Sequence, residues 1–257
     1  MYIYKCEDSL ESIFTAIYNV YEDKHSKDEV LLALDNELRL FAVQIAVVPD
    51  KVKYEKVVRT LKRCFGERDY RYLCLALTSP DEEKVQAVYG TVAQGLAHSC
   101  GWGHLFDNLA DEYVNKAFKL ARNADRENCH LRGFSRFEEL ENGLLYSRIE
   151  PKNNVLAFLM AHFADRFPEE NFILHDVGRK LYGLHHAESA ISAKQGWYLV
   201  QGEEGGLEKF DRSSEEIKYQ MLFKRFCQTI TIDSRKNPNL QQNMLPLHFR
   251  EFMTEFR

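Results

Sequence analysis

Apolar positions in the first half of the chain recur every three or four residues, a spacing typical of amphipathic helices. One stripe follows Asp8 and consists of Leu10, Ile13, Phe14, Ile17 and Tyr21. The spacing predicts further helices from Asp50 to Cys64 and at about 68–78, 82–98 and 105–125. Two runs rich in β-forming residues, Tyr2–Cys6 and Leu38–Val48, predict strands. The first half is therefore predicted to be mostly helical with a few strands.

The pattern changes near His130, where short β-rich runs replace the long helical stripes. Phe134–Leu140 and Leu144–Ile149 flank an Asn142-Gly143 pair, which is a strong hairpin signal because such turns need positive φ. An apolar helix with Val155, Leu159, Phe163 and Phe167 on one side follows. Three further strands are predicted at Phe172–His175, Leu181–Leu184 and Gly196–Val200.

Helices are predicted again at the end of the sequence. Ser213 or Ser214 begins one that runs to about residue 231, and Asn237 followed by Pro238 is a typical start for the next. Pro246 is expected to interrupt that helix. The sequence thus predicts an α+β fold with a mostly helical region at 1–128 and an α+β domain at 129–257. Hairpin links imply that about five strands in the second domain form an antiparallel sheet covered by helices.

Composition and charge narrow the classes of function. The net charge is −5, so any contact with DNA must come from a local cluster of Arg and Lys. Lys5, Glu7 and Asp8 interrupt the start, where a signal peptide would need an apolar stretch. No apolar run approaches the length that spans a bilayer, and the expected location is the cytoplasm without membrane contact.

A possible metal site is confined to the segment HSCGWGH, which contains His98, Cys100 and His104. A structural zinc site usually needs a fourth ligand and a paired spacing such as C-x-x-C, and neither is visible. We therefore predict a Gly-rich turn without zinc. No nucleotide-binding or iron–sulfur motif is present, and we predict no cofactor.

Eight polar residues in the second half could form a site for an anion or a nucleic acid. Arg suits phosphate because its planar fork donates two parallel hydrogen bonds, and His can transfer protons near neutral pH. Some precede the hairpin, others share a helical face, and others lie at a strand end or before the Asn-Pro helix start. They are His130, Arg132, Arg136, His162, Arg166, His175, Asp176 and Arg235.

Each of these residues also has a purely structural interpretation. His162 on an apolar helix can be a core or boundary histidine, and Arg166 can pair with Glu169, Glu170 or Asp165. His175-Asp176 can be an ordinary turn entry in which Asp binds the backbone two residues on. Convergence of the basic residues in one cleft would favour the functional interpretation, and separate ion pairs would favour the structural one.

Several ordered motifs in the second half resemble a known family. They are HLRGFSRFEEL at 130–140, LYSRIEPKNNVL at 145–156, AHFADRFP at 161–168, NFILHDVGRKLYGL at 171–184 and RKNPNLQQNMLPLHFREFM at 235–253. The resemblance is to proteins described as DNA repair or DNA metabolism proteins, encoded beside a radical-SAM protein that is itself described as a DNA modification or repair enzyme. The same C-terminal domain of unknown function occurs fused to uracil-DNA glycosylase-like domains. The start, MYIYKCEDSLESIF, is also similar to that family, so the resemblance covers nearly the whole chain.

The resemblance implies a role in DNA repair and leaves three hypotheses open. In the first, the protein is an accessory that binds DNA and acts with a radical-SAM partner. In the second, it is a nuclease- or glycosylase-like enzyme in which His130, His162, His175 and Asp176 supply the acid and the base. In the third, it is a structural subunit that stabilises its partner without touching DNA, which the acidic net charge favours.

Overall fold

The computed structural model describes residues 1–34, 40–97, 104–187, 196–202 and 211–257. The chain forms two compact units, Met1–Arg126 and Glu127–Arg257. The domain boundary predicted at 128/129 stays a prediction, because compactness alone does not show that either unit folds independently.

The first unit combines helices with a small parallel sheet. Its helices are α1 (Leu10–Glu22), α2 (Lys51–Leu77), α3 (Lys84–Ala97) and α4 (Glu112–Phe134), the last of which continues into the second unit. The strands β1 (Tyr2–Lys5), β2 (Val30–Ala33) and β3 (Val43–Ala46) form a sheet in the order β2-β1-β3, all parallel. Strand β2 was not predicted, because a buried apolar run of four residues has no diagnostic periodicity.

The local signals of the first unit explain where its helices begin. The Ser9 hydroxyl accepts a hydrogen bond from the Ser12 N–H at 3.2 Å and caps α1, one residue after the predicted start. The Asp50 carboxylate accepts from the N–H groups of Val52 and Lys53 at 2.8 and 3.1 Å and caps α2. Gly66, with φ of +81°, interrupts α2.

The second unit contains a five-stranded sheet, which confirms the predicted α+β class. The strands are β4 (Glu138–Glu139), β5 (Leu145–Ile149), β6 (Phe172–Asp176), β7 (Leu181–His185) and β8 (Trp197–Gln201), and they pair in sequence order. The helices are α5 (Leu156–Arg166), α6 (Ser214–Thr229), α7 (Pro238–Met244) and α8 (Leu247–Arg250). The Asn237 side chain accepts from the Leu240 N–H at 3.0 Å, so the predicted Asn-Pro helix start is confirmed.

The prediction of a purely antiparallel sheet was wrong for one pair of strands. β5 and β6 run parallel, with Leu145 opposite Phe172, whereas the other three pairs are antiparallel. The reason is that α5 connects these two strands. The helix carries the chain back to the end of the sheet where β5 began, so β6 starts there and runs in the same direction. The hairpin between β4 and β5 is confirmed, with Gly143 at φ of +78° in its turn.

The predicted ends of α4 and of the first hairpin strand were also wrong. α4 continues to Phe134, nine residues beyond the predicted end at about 125, and β4 is only two residues long. The apolar stripe of α4 is interrupted before the helix ends, because the buried positions 127 and 128 are Glu127 and Asn128 and only Leu131 continues it. His130 and Arg132 therefore lie on a helix, not at the entry to a strand.

Helix α5 packs directly onto the sheet. Gly183 of β7 faces Met160, so closely that a Cβ at Gly183 would lie 2.3 Å from the Met160 sulfur. Phe163 on α5 meets Phe137 edge-on, with ring centroids 5.0 Å apart. The opposite sheet face carries a second cluster, formed by Leu140, Tyr146, Ile173 and Tyr182. This packing fixes the orientation of α5 and hence of its polar side.

Candidate nucleic-acid interface

Three of the eight candidate residues lie on helices α4 and α5, and the charges of the two arginines among them act on the histidine. We call these residues the basic cluster: Arg132, His162 and Arg166. His162 and Arg166 lie one turn apart on α5 and share a face. Partial burial lowers the pKa of His162 below its ordinary value, and the positive charges of Arg132 and then Arg166 lower it further. Asp165 acts in the opposite direction without cancelling these effects.

The positive charge of the basic cluster is poorly compensated. Arg166 is exposed, with its guanidinium 5.6 Å from the centre of the Phe167 ring, and within the described ranges it forms no ion pair with a carboxylate. The Nε atom of Arg132 is buried and has no hydrogen-bond partner among the described residues. Two arginines and a histidine placed in this way on an acidic protein favour an anionic ligand.

We predict that the imidazole of His162 titrates below the ordinary histidine value of 6.5. Because the folded-state pKa is lowered, His162 contributes stability that is present above pH 6.5 and is lost as the pH falls through its folded-state pKa. Replacing Arg166 by Ala removes one of the two positive charges and should move the midpoint upward. An NMR titration of the His162 ring protons measures both effects, and an unchanged midpoint in R166A would contradict the proximity.

Arg136 has the structural role that the ion-pair interpretation predicted. Its Nη2 donates to the Glu255 carboxylate at 2.7 Å, and its Nη1 donates to the Gly133 carbonyl oxygen at 2.9 Å. A second ion-pair group lies nearby in sequence, where Glu138 binds Arg212 at 2.9 Å and Arg257 at 2.8 Å. The guanidinium of Arg136 is thus already occupied by a carboxylate and is a poor phosphate ligand.

His130 lies in an aromatic cluster. Its ring centroid is 5.5 Å from that of Phe134 and 5.7 Å from that of Phe249, which it meets edge-on. These contacts join the end of α4 to α8. His130 therefore packs between aromatic rings instead of extending the basic cluster.

His175 and Asp176 are both buried in strand β6. The Nδ1 atom of His175 lies 2.7 Å from the Tyr146 hydroxyl, and its ring stacks on Tyr182 at 4.1 Å. The Asp176 carboxylate accepts from the backbone N–H and from Nη1 of Arg179 at 3.1 and 3.0 Å, as a turn entry does. Burial raises the pKa of Asp176, although Arg179 opposes this shift.

Arg235 is exposed in a short 3₁₀ turn, Asp233–Arg235, before α7. In the part of the chain that the structure describes, no hydrogen bond or ion pair connects its side chain to the basic cluster. The eight candidates thus separate into the basic cluster, an ion pair, an aromatic contact, a buried strand pair and one isolated arginine.

Sequence reasoning missed two side chains that hold the loop before α5 in place. The buried carboxylate of Glu127 accepts from the N–H groups of Lys152 and Asn153 at 2.8 Å each and from Asn153 Nδ2 at 2.6 Å. From the other side, Arg179 donates to the carbonyl oxygens of Pro151 and Lys152 at 2.8 and 2.5 Å. This loop clamp positions the start of the helix that carries His162 and Arg166. Glu127 gives no signal in the sequence, because it stands among charged residues that resemble a solvated helix face.

Of the three candidate metal ligands, His104 belongs to the described residues. His98 and Cys100 lie outside the described residues. His104 is exposed, with Nδ1 3.7 Å from the Asp69 carboxylate. Among the described residues, no group of three or more His, Cys, Asp or Glu side chains is arranged to hold a metal ion. The absence of zinc at this segment stays a prediction.

The comparisons with known proteins identify the family. A family model described as a domain of unknown function, DUF4130, matches residues 82–255, about two thirds of the chain. The chain belongs to the DUF4130 family. The DUF4130 match begins in the first unit and includes the whole basic cluster and both residues of the loop clamp. No curated protein matches the chain, and no solved structure does. Among the described helices of this DUF4130 protein, none has the length and apolar character that crossing a bilayer requires.

Proposed function

We propose that this DUF4130 protein is a cytoplasmic accessory protein of DNA repair or DNA metabolism that binds nucleic-acid phosphates through the basic cluster. The observation that carries the proposal is the exposed Arg166, one helical turn from His162 and without a carboxylate partner among the described residues. The positive charge of Arg132 acts on the same histidine. Phosphate contacts of this kind position a protein on nucleic acid and do not require base recognition.

The surroundings of the other candidate residues support an accessory role over an enzymatic one. General acid–base catalysis needs the acid and the base within hydrogen-bond reach of the reacting groups of one substrate. Here His130 contacts aromatic rings, His175 lies inside the sheet, and the Asp176 carboxylate is bound to Arg179. The enzyme hypothesis would need these groups to face a common space, and their contacts do not favour it.

A radical-SAM protein is the partner that we propose, and the support for it is the resemblance of the five motifs in the second half. In this arrangement the partner performs the chemistry on DNA, and the basic cluster holds the DNA backbone. The fusions to uracil-DNA glycosylase-like domains that the resemblance implies are consistent with such a division of work.

Arg166→Ala is expected to weaken binding of a fluorescent DNA duplex about tenfold, since a charge-assisted contact to phosphate contributes roughly 1–3 kcal/mol. The slope of log affinity against log salt concentration should also fall by about one, because one phosphate contact is lost. Fluorescence anisotropy at several salt concentrations measures both quantities. The melting temperature should not change, because the Arg166 side chain is exposed.

Arg136→Ala is the matched control, since it removes an arginine whose guanidinium is bound to Glu255. We expect a lower melting temperature and an unchanged DNA affinity. Equal DNA affinity for the wild type and Arg166→Ala would exclude the basic cluster as the binding site. The same measurement on the wild type with single-stranded DNA of the same sequence identifies the preferred form.

A further inference from the structure

Helix α6 has polar side chains on its more buried side and leaves many of its apolar side chains exposed. Its more buried side is polar and includes Glu216 and Gln220. The Glu216 carboxylate accepts from the Glu139 N–H at 3.3 Å and from Gln220 Nε2 at 2.7 Å. Surface helices of globular proteins normally bury the apolar side. The described residues therefore leave apolar side chains of α6 uncovered.

The apolar residues on the outer side form a continuous row, which we call the outer stripe. Its members are spaced by three or four residues, so they share one face of the helix. Each is between 56 and 64% exposed, and the row consists of Tyr219, Leu222, Phe226 and Ile230, the last of which is the residue that ends the helix. Aromatic residues concentrated in this way are typical of the centre of a protein–protein interface.

A second copy of the chain is a poor occupant of the outer stripe. The stripe extends over less than two heptads, and coiled-coil pairing requires about three or four. An antiparallel pairing that superposes the stripe on itself would also bring the exposed Arg225 side chains of the two copies side by side. Like charges placed there oppose the pairing.

A membrane surface is also disfavoured. Glu215 lies at the N-terminal end of the outer stripe, on the same face as Leu222, and is ion-paired with Lys218 at 2.7 Å. A helix that lies in the bilayer interface needs a face without carboxylates, because burying a charge in lipid is costly.

The charges around the outer stripe indicate which kind of protein could cover it. Residues 214–244 include five basic and three acidic side chains, whereas the whole chain has a net charge of −5. Lys218 and Lys236 are ion-paired with Glu215 and Asp233. The exposed Arg225 flanks the stripe and the exposed Arg235 follows the helix, and neither has an ion-pair partner among the described residues. A complementary surface is apolar at its centre and acidic at its rim.

We propose that the outer stripe is the docking surface for a different protein, one that presents an apolar groove with acidic side chains at its rim. The inference rests on the proposed function, whose radical-SAM partner is the occupant to test. The stripe lies on α6 and the basic cluster on α4 and α5, so different helices carry the two proposed contacts.

The test uses the full chain and the purified radical-SAM protein, with affinity measured by calorimetry. Leu222→Glu should weaken binding at least tenfold, and Arg225→Glu should weaken it severalfold. Met221→Glu is the matched control, because Met221 is 60% and Leu222 61% exposed and the two are adjacent on α6, but only Leu222 belongs to the stripe. Phe226→Glu repeats the test at a second exposed position if Leu222→Glu does not fold.

Each outcome has a distinct meaning. If the wild type binds and both glutamate variants of the stripe bind equally well, the docking surface is wrong while the partnership stands. If the wild type does not bind the radical-SAM protein, both the partnership and this docking inference are wrong. Self-association of the wild type, or binding to anionic vesicles, that Leu222→Glu abolishes would assign the stripe to a second copy or a membrane and overturn the inference. The DNA affinity of Arg166→Ala tests the proposed function independently of all these results.

Discussion

Gly90→Ala is expected to lower the free energy of unfolding by about 2–3 kcal/mol, within the range for inserting an atom into a packed core. A Cβ at Gly90 of α3 would lie 2.3 Å from Cγ and 2.7 Å from Cβ of Tyr113 on α4. The Cβ of Tyr113 cannot move away by a side-chain rotation, so the two helices must separate. The gain in helix propensity from Gly to Ala, about 1 kcal/mol, is too small to offset this strain.

Gly133→Ala is the control for Gly90→Ala, because a Cβ at Gly133 meets no atom within 4 Å. Gly133 lies near the end of α4, where Ala should leave the stability unchanged or raise it slightly. Urea unfolding followed by circular dichroism measures both variants. Equal stability of Gly90→Ala and the wild type would show that α3 and α4 are not as closely packed as described.

Glu127→Ala is expected to destabilise the second unit by about 3 kcal/mol, since hydrogen bonds to a charged group contribute about 1.5–3 kcal/mol each and their loss leaves buried donors unpaired. The substitution removes the acceptor of three hydrogen bonds and leaves the N–H groups of Lys152 and Asn153 without a partner. The start of α5 should loosen with it, so hydrogen exchange in α5 should become faster.

Glu169→Ala is the control for Glu127→Ala, because Glu169 is an exposed glutamate three residues after the end of α5. It should change neither the melting temperature nor the exchange rates. If Glu127→Ala exchanges at the wild-type rate in α5, the loop clamp does not hold that helix. Thermal unfolding and hydrogen exchange measured on the same samples separate a global loss of stability from local loosening.

The parts of the fold that local chemistry determines could be predicted from the sequence. The Asn237 cap, the interruption at Pro246 and the turn at Gly143 each depend on the conformational preferences of one or two residues. The parallel pairing of β5 with β6 depends instead on where a helical connection returns the chain. Hairpin signals carry no information about that choice, so the mixed sheet could not be foreseen.

The candidate site was predictable to a similar extent. The spacing of His162 and Arg166 places them on one face of any helix, and the structure adds Arg132 from a second helix. The sequence could not show that Arg136 is occupied, because its partner Glu255 is 119 residues away. Nor could it identify Glu127 as a buried acceptor, since burial depends on the approach of the Lys152–Asn153 loop.

The ion pairs around β4 have a consequence for the order in which the protein folds during its synthesis. Glu138 is bound by Arg257, which is 119 residues farther along the chain. At about 5–20 residues per second, a ribosome needs roughly 6–24 s to pass from one to the other. During that interval the whole of the first unit has been synthesised. Glu255 and Arg257, the ion-pair partners of Arg136 and Glu138, have not yet been added to the chain. The ion pairs of Arg136 and Glu138 can therefore form only after the whole of the first unit has been synthesised.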